Sequence, residues 1–186
     1  MNLSEYEYFA KKTAISAGEI LMQYFGKLTH VDKKSTDIDL VTQADIESEK
    51  KIINAIKSTY SDHDILAEES DFTNLNSDFC WVIDPLDGTT NFVHTLPICA
   101  VSIGLKYKGE TIVGVVYNPV YRQCFHATKN NGAFLNNTPI SVSSTFTLNK
   151  SLLVTGFPYI HDVRWKTSFK IFEDFYSRTQ GLRRLG

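Results

Sequence analysis

Residues 80–92 read Cys80-Trp81-Val82-Ile83-Asp84-Pro85-Leu86-Asp87-Gly88-Thr89-Thr90-Asn91-Phe92, and the rest of the chain is best understood around them. The apolar run Cys80 to Ile83 has strand character and leads straight into a carboxylate. Pro85 has no N–H to give to a sheet ladder, so the strand is expected to end there. Asp84 and Asp87 supply anionic oxygens of the kind a hard cation such as Mg²⁺ takes. Gly88 lets the backbone approach closely, and the N–H groups opening the next turn can hold phosphate oxygens. A polar turn rich in Asp and Gly would account for D-x-x-D-G-T taken alone.

Working outward, the pattern of an apolar strand ending in acid occurs a second time. Ile65-Leu66-Ala67 runs into Glu68 and Glu69. If the two strands are neighbours, Glu68, Asp84 and Asp87 come together, and such carboxylates repel unless cations lie between them. Before it, Asp39 to Thr42 reads as a short strand, and Thr42-Gln43-Ala44-Asp45 opens a helix with Thr42 as N-cap and Asp45 at N3. Capping alone accounts for Asp45. Ile46, Ile53, Ile56 and Tyr60 are expected on the inward face of that helix.

The first helix is expected to start at a Ser4/Glu7 capping box, to pack through Ala10, Ala14, Ala17, Leu21 and Tyr24, and to stop at Gly26. Residues 33–37 read as a polar surface turn. After Phe92 the chain becomes strand: Ile98 to Lys106, Thr111 to Tyr117, Cys124 to Thr128, then Phe134-Leu135 and Ile140 to Val142, joined by Gly- and Asn-bearing turns. This is an antiparallel meander. A strand over Ser151 to Gly156 and a helix from Asp162 to about Tyr176 follow, the latter with a stripe of Trp165, Phe169, Phe172 and Tyr176 expected to be core.

Composition narrows the class. With 186 residues, 42% apolar and 22% charged, the chain is an ordinary globular protein. A net charge of −2 leaves no basic footprint for a nucleic acid polymer or a membrane surface. No apolar run reaches the roughly 20 residues that span a bilayer, and the N-terminus reads as lacking a secretory signal, so a cytoplasmic location is expected. Cys80, Cys99 and Cys124 are odd in number and sit in apolar runs, which favours free thiols. No C-x-x-C or His pairing points to zinc.

The stretch W-V-I-D-P-L-D-G-T-T-N-F-V-H, Trp81 to His94, resembles the signature of the inositol monophosphatase family of Mg²⁺-dependent phosphatases. D-L-V-T-x-A-D ending at Asp45, the Glu68-Glu69 pair, G-V-V-Y-N-P (Gly114 to Pro119) and N-G-A-F-L-N-N (Asn131 to Asn137) resemble further family segments. The resemblance implies an α+β fold of layered αβαβα type. Residues 1–145 would form an N-terminal α+β metal-binding domain with an antiparallel sheet. Residues 146–186 would begin a second α/β domain, truncated here.

It also implies hydrolysis of a small phosphate monoester by direct attack of water. Inositol monophosphate is expected, with sugar bisphosphates, NADP or 3′-nucleotides as alternatives. Glu68, Asp84 and the Leu86 carbonyl would hold one Mg²⁺, and Asp84 with Asp87 a second. Thr89 and Asp45 would orient the water, and Lys34 would lie beside the site. Asp87, Gly88, Thr89 and Glu68 would border the phosphate. Lithium sensitivity and a homodimer are implied as well. The family's W-D motif and S-A-A segment are expected beyond Gly186, so residues 1–186 alone are expected to be a poor enzyme with an open sheet edge. Two rivals remain. A haloacid dehalogenase-type site needs carboxylates two apart, whereas Asp84 and Asp87 are three apart. An inactive fragment or binding module is the other.

Overall fold

The computed structural model describes residues 2–28, 31–33, 40–70, 76–157 and 162–185. Lys34 and Asp39 therefore lie outside the described residues. Helix α1 spans Leu3–Tyr24 and buries Ala10, Ala14, Ala17 and Leu21, the small side chains expected from their helical spacing. Their size lets the helix approach the sheet closely: a Cβ added to Gly18 would meet the Tyr117 ring at 2.6 Å. The start differs from the expected capping box. Asn2 is the N-cap, its Nδ2 donates to Glu5 Oε1 at 2.9 Å, and Ser4 lies inside the first turn. Glu7 instead reaches across to the sheet, its Oε1 lying 2.5 Å from His126 Nδ1. The helix stops before Gly26, whose φ of +71° suits the C′ position.

Strands β1 (Asp32–Lys33) and β2 (Leu40–Val41) form a two-stranded sheet, and α2 (Gln43–Thr59) follows with the expected Thr42/Asp45 capping box. Of the residues expected on the inward face of α2, Ile56 is buried and Ile53 and Tyr60 pack against the core, but Ile46 does not. Ile46 is exposed, and Ala44, Asp45, Ser48, Glu49, Ile52 and Ile56 are buried. Ile52 and Ile56 continue the stripe that Asp45 begins, so the polar residues on it are carried inward with the apolar ones.

Next come β3 (Asp64–Ala67), β4 (Phe79–Asp87) and the short helix α3 (Thr89–Val93). They are followed by β5 (Ala100–Tyr107), β6 (Glu110–Asn118), β7 (Gln123–Thr128), β8 (Ala133–Leu135) and β9 (Thr138–Ile140). The seven strands β3 to β9 form one sheet in sequence order. The expected meander is present from β4 onward, every pair antiparallel, but β3 and β4 run parallel, so the sheet is mixed. Alternation in β5 sends Val101, Ile103 and Leu105 into the core with Trp81 and Ile83 of β4 and Val113 and Val115 of β6. Helices α1 and α2 pack on each other and on this sheet. Cys99 and Cys124 are buried, Cys80 is half-buried, and all three are free.

Strand β4 does not stop at Pro85. Asp84 pairs with Ser102 and Asp87 with Ala100, so Pro85 and Leu86 face only Val101 across the ladder. This is a β-bulge, a place where a strand tolerates a residue lacking an N–H. Two side chains three apart on a regular strand point to opposite faces. The bulge's extra residue cancels that. Ser102 and Ala100 share a face of β5, so their partners Asp84 and Asp87 share one too, while Pro85 and Leu86 are both buried.

Beyond the sheet, β10 (Leu152–Thr155) and β11 (Gly181–Arg184) pair in parallel, with α4 (Val163–Tyr176) between them in sequence. The strand at Leu182 thus has a partner, contrary to the expectation of an unpaired start. Asp162 caps α4, accepting from the N–H groups of Arg164 and Trp165. The aromatic stripe is not core: among the described residues no side chain of α4 is buried, and Phe157 stacks on Phe169 at 4.5 Å. The chain forms two compact units, one holding α1, α2, α3 and the seven-stranded sheet, the other β10, α4 and β11.

Candidate metal and phosphate site

Parallel pairing of β3 with β4 aligns Ala67 with Ile83, so the next residue of each chain segment, Glu68 and Asp84, emerges at the same sheet end. Their carboxyls are hydrogen-bonded to each other. Burial first, then the charge and hydrogen bond of Glu68, then the charge of Asp87, push the Asp84 carboxyl up to about 8 from its ordinary 3.8. The Leu86 N–H, which donates to Asp84 Oδ1 at 3.1 Å, pulls the other way. Burial and like charge both disfavour the ionised form of a carboxyl crowded in this way. Asp87 is exposed at the last position of β4.

Gly88 turns the chain from β4 into α3. Its φ of +87° is open to glycine at little cost, and a Cβ there would meet the Ile98 carbonyl at 2.8 Å. Asn91 fastens the same loop by donating from Nδ2 to that carbonyl oxygen at 2.8 Å. Buried Phe92 anchors α3 below it. Thr89 is therefore placed at the first position of α3, and its hydroxyl has one proton and two acceptors in reach: Asp45 Oδ1 at 3.2 Å and the Leu86 carbonyl at 3.1 Å. The other oxygen of Asp45 accepts the Thr42 N–H at 2.8 Å and the Thr42 hydroxyl at 2.6 Å. Asp45 thus does both jobs, capping α2 and gripping Thr89.

Of the residues singled out in the sequence, Glu68, Asp84, Leu86, Asp87, Gly88, Thr89 and Asp45 fall in one neighbourhood, while Lys34 lies outside the described residues. Among the described residues no group of three or more His, Cys, Asp or Glu side chains is gathered closely enough to hold a metal ion. The donors nonetheless fit Mg²⁺ by type: carboxylate and carbonyl oxygens, with the Asp84 carboxyl pushed up by burial and neighbouring acids that a cation would offset.

Two residues of this neighbourhood were not anticipated. Ser48 Oγ donates to the Pro85 carbonyl at 3.0 Å, and Glu49 Oε2 accepts the Glu69 N–H at 2.8 Å. The sequence carried a signal for them: they stand three and four residues after Asp45, with Ile52 and Ile56 prolonging the stripe.

Residues 2–186 match the inositol monophosphatase family. The chain is 44% identical over 178 residues to the inositol-1-monophosphatase of Synechocystis sp., covering 95% of this chain and 62% of that protein. It is 38% identical to the Nus factor SuhB of Pseudomonas aeruginosa, over 95% of this chain and 68% of that one. The crystal structure of the extragenic suppressor protein suhB from Bartonella henselae matches with a TM-score of 0.90 at 34% identity, over 96% of this chain and 69% of that one. This chain therefore spans 62% to 69% of the length of those proteins. With the family match running from residue 2 to residue 186, and the motif of Trp81 to His94 folded as a bulged strand end and helix start, the chain belongs to the inositol monophosphatase family.

Proposed function

We propose that this chain carries the metal and phosphate half of a Mg²⁺-dependent phosphate monoester hydrolase, with inositol monophosphate or a related small sugar or nucleotide phosphate as substrate. The observation that supports it most is the meeting of Glu68 with Asp84 at the ends of two parallel strands, beside a Thr89–Asp45 pair. The name borne by the Synechocystis relative supports the substrate class.

In this reading Glu68, Asp84, Asp87 and the Leu86 carbonyl hold Mg²⁺, which supplies positive charge that offsets the carboxylates and polarises the phosphate ester. Thr89 handles the water. When the Leu86 carbonyl is engaged elsewhere, the hydroxyl proton turns to Asp45 Oδ1, and the Thr89 oxygen is left to accept a hydrogen bond from the attacking water. Asp45 is fixed for that task by its two bonds from Thr42. The N–H groups of Gly88 and Thr89, at the α3 start, face the phosphate. Lys34 is assigned a supporting position beside the site. The same reading carries lithium inhibition, a cytoplasmic location and a homodimer with it; for a membrane span, no helix among the described residues is long and apolar enough.

The test is phosphate release from a panel of monoesters, inositol monophosphate included, as Mg²⁺ is titrated. Release that depends on Mg²⁺ is expected. Turnover unaffected by chelation of divalent ions, or an aspartyl-phosphate trapped on Asp84, would overturn the reading.

A further inference from the structure

Helix α2 makes three side-chain bonds from one face, and each ends on a different segment of the candidate site. Asp45 receives the Thr89 hydroxyl at 3.2 Å, Ser48 donates to the Pro85 carbonyl at 3.0 Å, and Glu49 accepts the Glu69 N–H at 2.8 Å. These residues occupy positions i, i+3 and i+4, which share a helix face. All three are buried. A carboxylate like that of Glu49 is rarely carried so deep without a task.

We propose that Glu49 is a positioning residue for metal binding, acting through the peptide bond between Glu68 and Glu69. The proposal rests on the reading of Glu68 as a metal ligand. The amide that Glu49 accepts belongs to the plane that also contains the Glu68 carbonyl and Cα. Holding that plane fixes the rotation of the chain just after Glu68 and with it the direction in which the Glu68 side chain leaves the backbone. The need is local. Glu68 follows the last residue of β3, so it has passed beyond the Ala67–Ile83 pairing and no ladder holds it. Asp84 needs no such help, since it lies within β4 paired to Ser102. Ser48 does the corresponding work on the bulge, where Pro85 can donate nothing.

Outer partners of metal ligands are worth about 10- to 100-fold in metal affinity. Reach and charge can be separated at Glu49. Glu49→Gln keeps an oxygen at the same reach and loses the charge; Glu49→Asp keeps the charge and falls one methylene short. The measurement is Mn²⁺ affinity, by electron paramagnetic resonance of the free ion, for this chain and both variants, with Glu68→Gln as reference and near-ultraviolet circular dichroism to check folding. Glu49→Gln is expected to bind within about threefold of the parent, and Glu49→Asp about tenfold or more weakly. Should Glu49→Asp fail to fold, Glu49→Met, which fills the space without an acceptor, takes its place and is expected to show the same weakening. Equal affinity in all Glu49 variants, or the reverse order with Gln weak and Asp intact, overturns the positioning role if Glu68→Gln has lost affinity. Parent-like affinity in Glu68→Gln would instead remove the metal-site reading itself.

Discussion

The two ends of the strand pair β3–β4 are built on opposite principles. At the entry end, Trp81 is fully buried, and its Nε1 donates to His63 Nδ1 at 3.1 Å. His63 lies flat between Phe79 at 4.5 Å and Tyr60 at 4.9 Å. Burial holds the imidazole below its ordinary 6.5, so it stays neutral and accepts from the indole. At the exit end, Glu68, Asp84 and Asp87 crowd together, and burial with like charge pushes Asp84 up to about 8. At the entry end a buried imidazole is neutral and hydrogen-bonded; at the exit end a buried carboxyl sits among other acids. A strand pair made for stability alone would not keep the second arrangement, which is why the exit end is where binding is expected.

The sharpest way to break this contrast is at the acids. Asp84→Asn and Glu68→Gln are each expected to abolish Mg²⁺-dependent phosphate release. Neither should lower the melting temperature in chelator, because each removes a crowded carboxylate and leaves the packing intact. A variant with parent-like turnover, or one that loses activity only by unfolding, counts against the assignment.

The next effect in size belongs to Thr89. Thr89→Ala takes away the hydroxyl that lies between Asp45 and the Leu86 carbonyl, and kcat is expected to fall roughly 10²-fold, the scale of a positioned acid–base group. Mg²⁺ affinity should hold, since the hydroxyl is not assigned to the metal. Weaker Mg²⁺ binding as the sole defect would move Thr89 from the water to the cation.

How far the sequence disclosed this contrast differs residue by residue. The acids were plain, because Asp84, Asp87 and Glu68 each follow an apolar run, and because D-P-L-D-G-T-T-N-F is so distinctive. Their shared face was not, since three-residue spacing on a strand predicts opposite faces; only the bulge around Pro85 and Leu86 unites them, and a bulge depends on what the neighbouring strand offers. Ser48 and Glu49 were missed for a related reason. Hydrophobic spacing points Ile46, Ile53, Ile56 and Tyr60 inward, and all but Ile46 are; it says nothing of the polar stripe beside them, which bonds to β4 and to the loop after β3. The Trp81–His63 bond was invisible for want of any local signal across 18 residues. The α4 stripe shows the converse: helical spacing of aromatics gave the helix, and its burial could not be read from spacing.

A third test uses pH, where the two ends have opposite signs. His63 titrates low in the folded protein, so the unfolded chain binds the proton more readily, and stability is lost as pH falls below about 6.5 toward the folded value. Asp84 titrates high, so its favourable contribution is complete near pH 4 and is lost as pH rises through about 8 in the absence of metal. Above about pH 6.5 only the Asp84 loss remains, so metal-free protein should lose stability steadily from there to about pH 8, and Mg²⁺ should restore the alkaline side, with protons released on binding. Melting curves in chelator across pH 4 to 9 give the profile. If Asp84→Asn leaves the alkaline slope unchanged, the loss does not arise at the exit end.

The smallest effect is also the cleanest separation of the two ends. Trp81→Phe keeps an aromatic ring among Phe9, Tyr60 and His63 but deletes the indole N–H, leaving His63 Nδ1 without its donor. A lost hydrogen bond to a buried acceptor and a modest loss of volume together cost about 1–2 kcal/mol. The effect should stay where it is made. Asp84 lies three residues along the same strand, but it is held by the ladder to Ser102 and by the Leu86 N–H, neither of which Trp81 touches through a polar bond. Mn²⁺ affinity is therefore expected to match the parent at temperatures well below the melting point, while chemical denaturation shows the loss of stability. A fall in metal affinity as large as the fall in stability would mean that the strand transmits packing at its entry to geometry at its exit, and the two ends would have to be treated as a single unit.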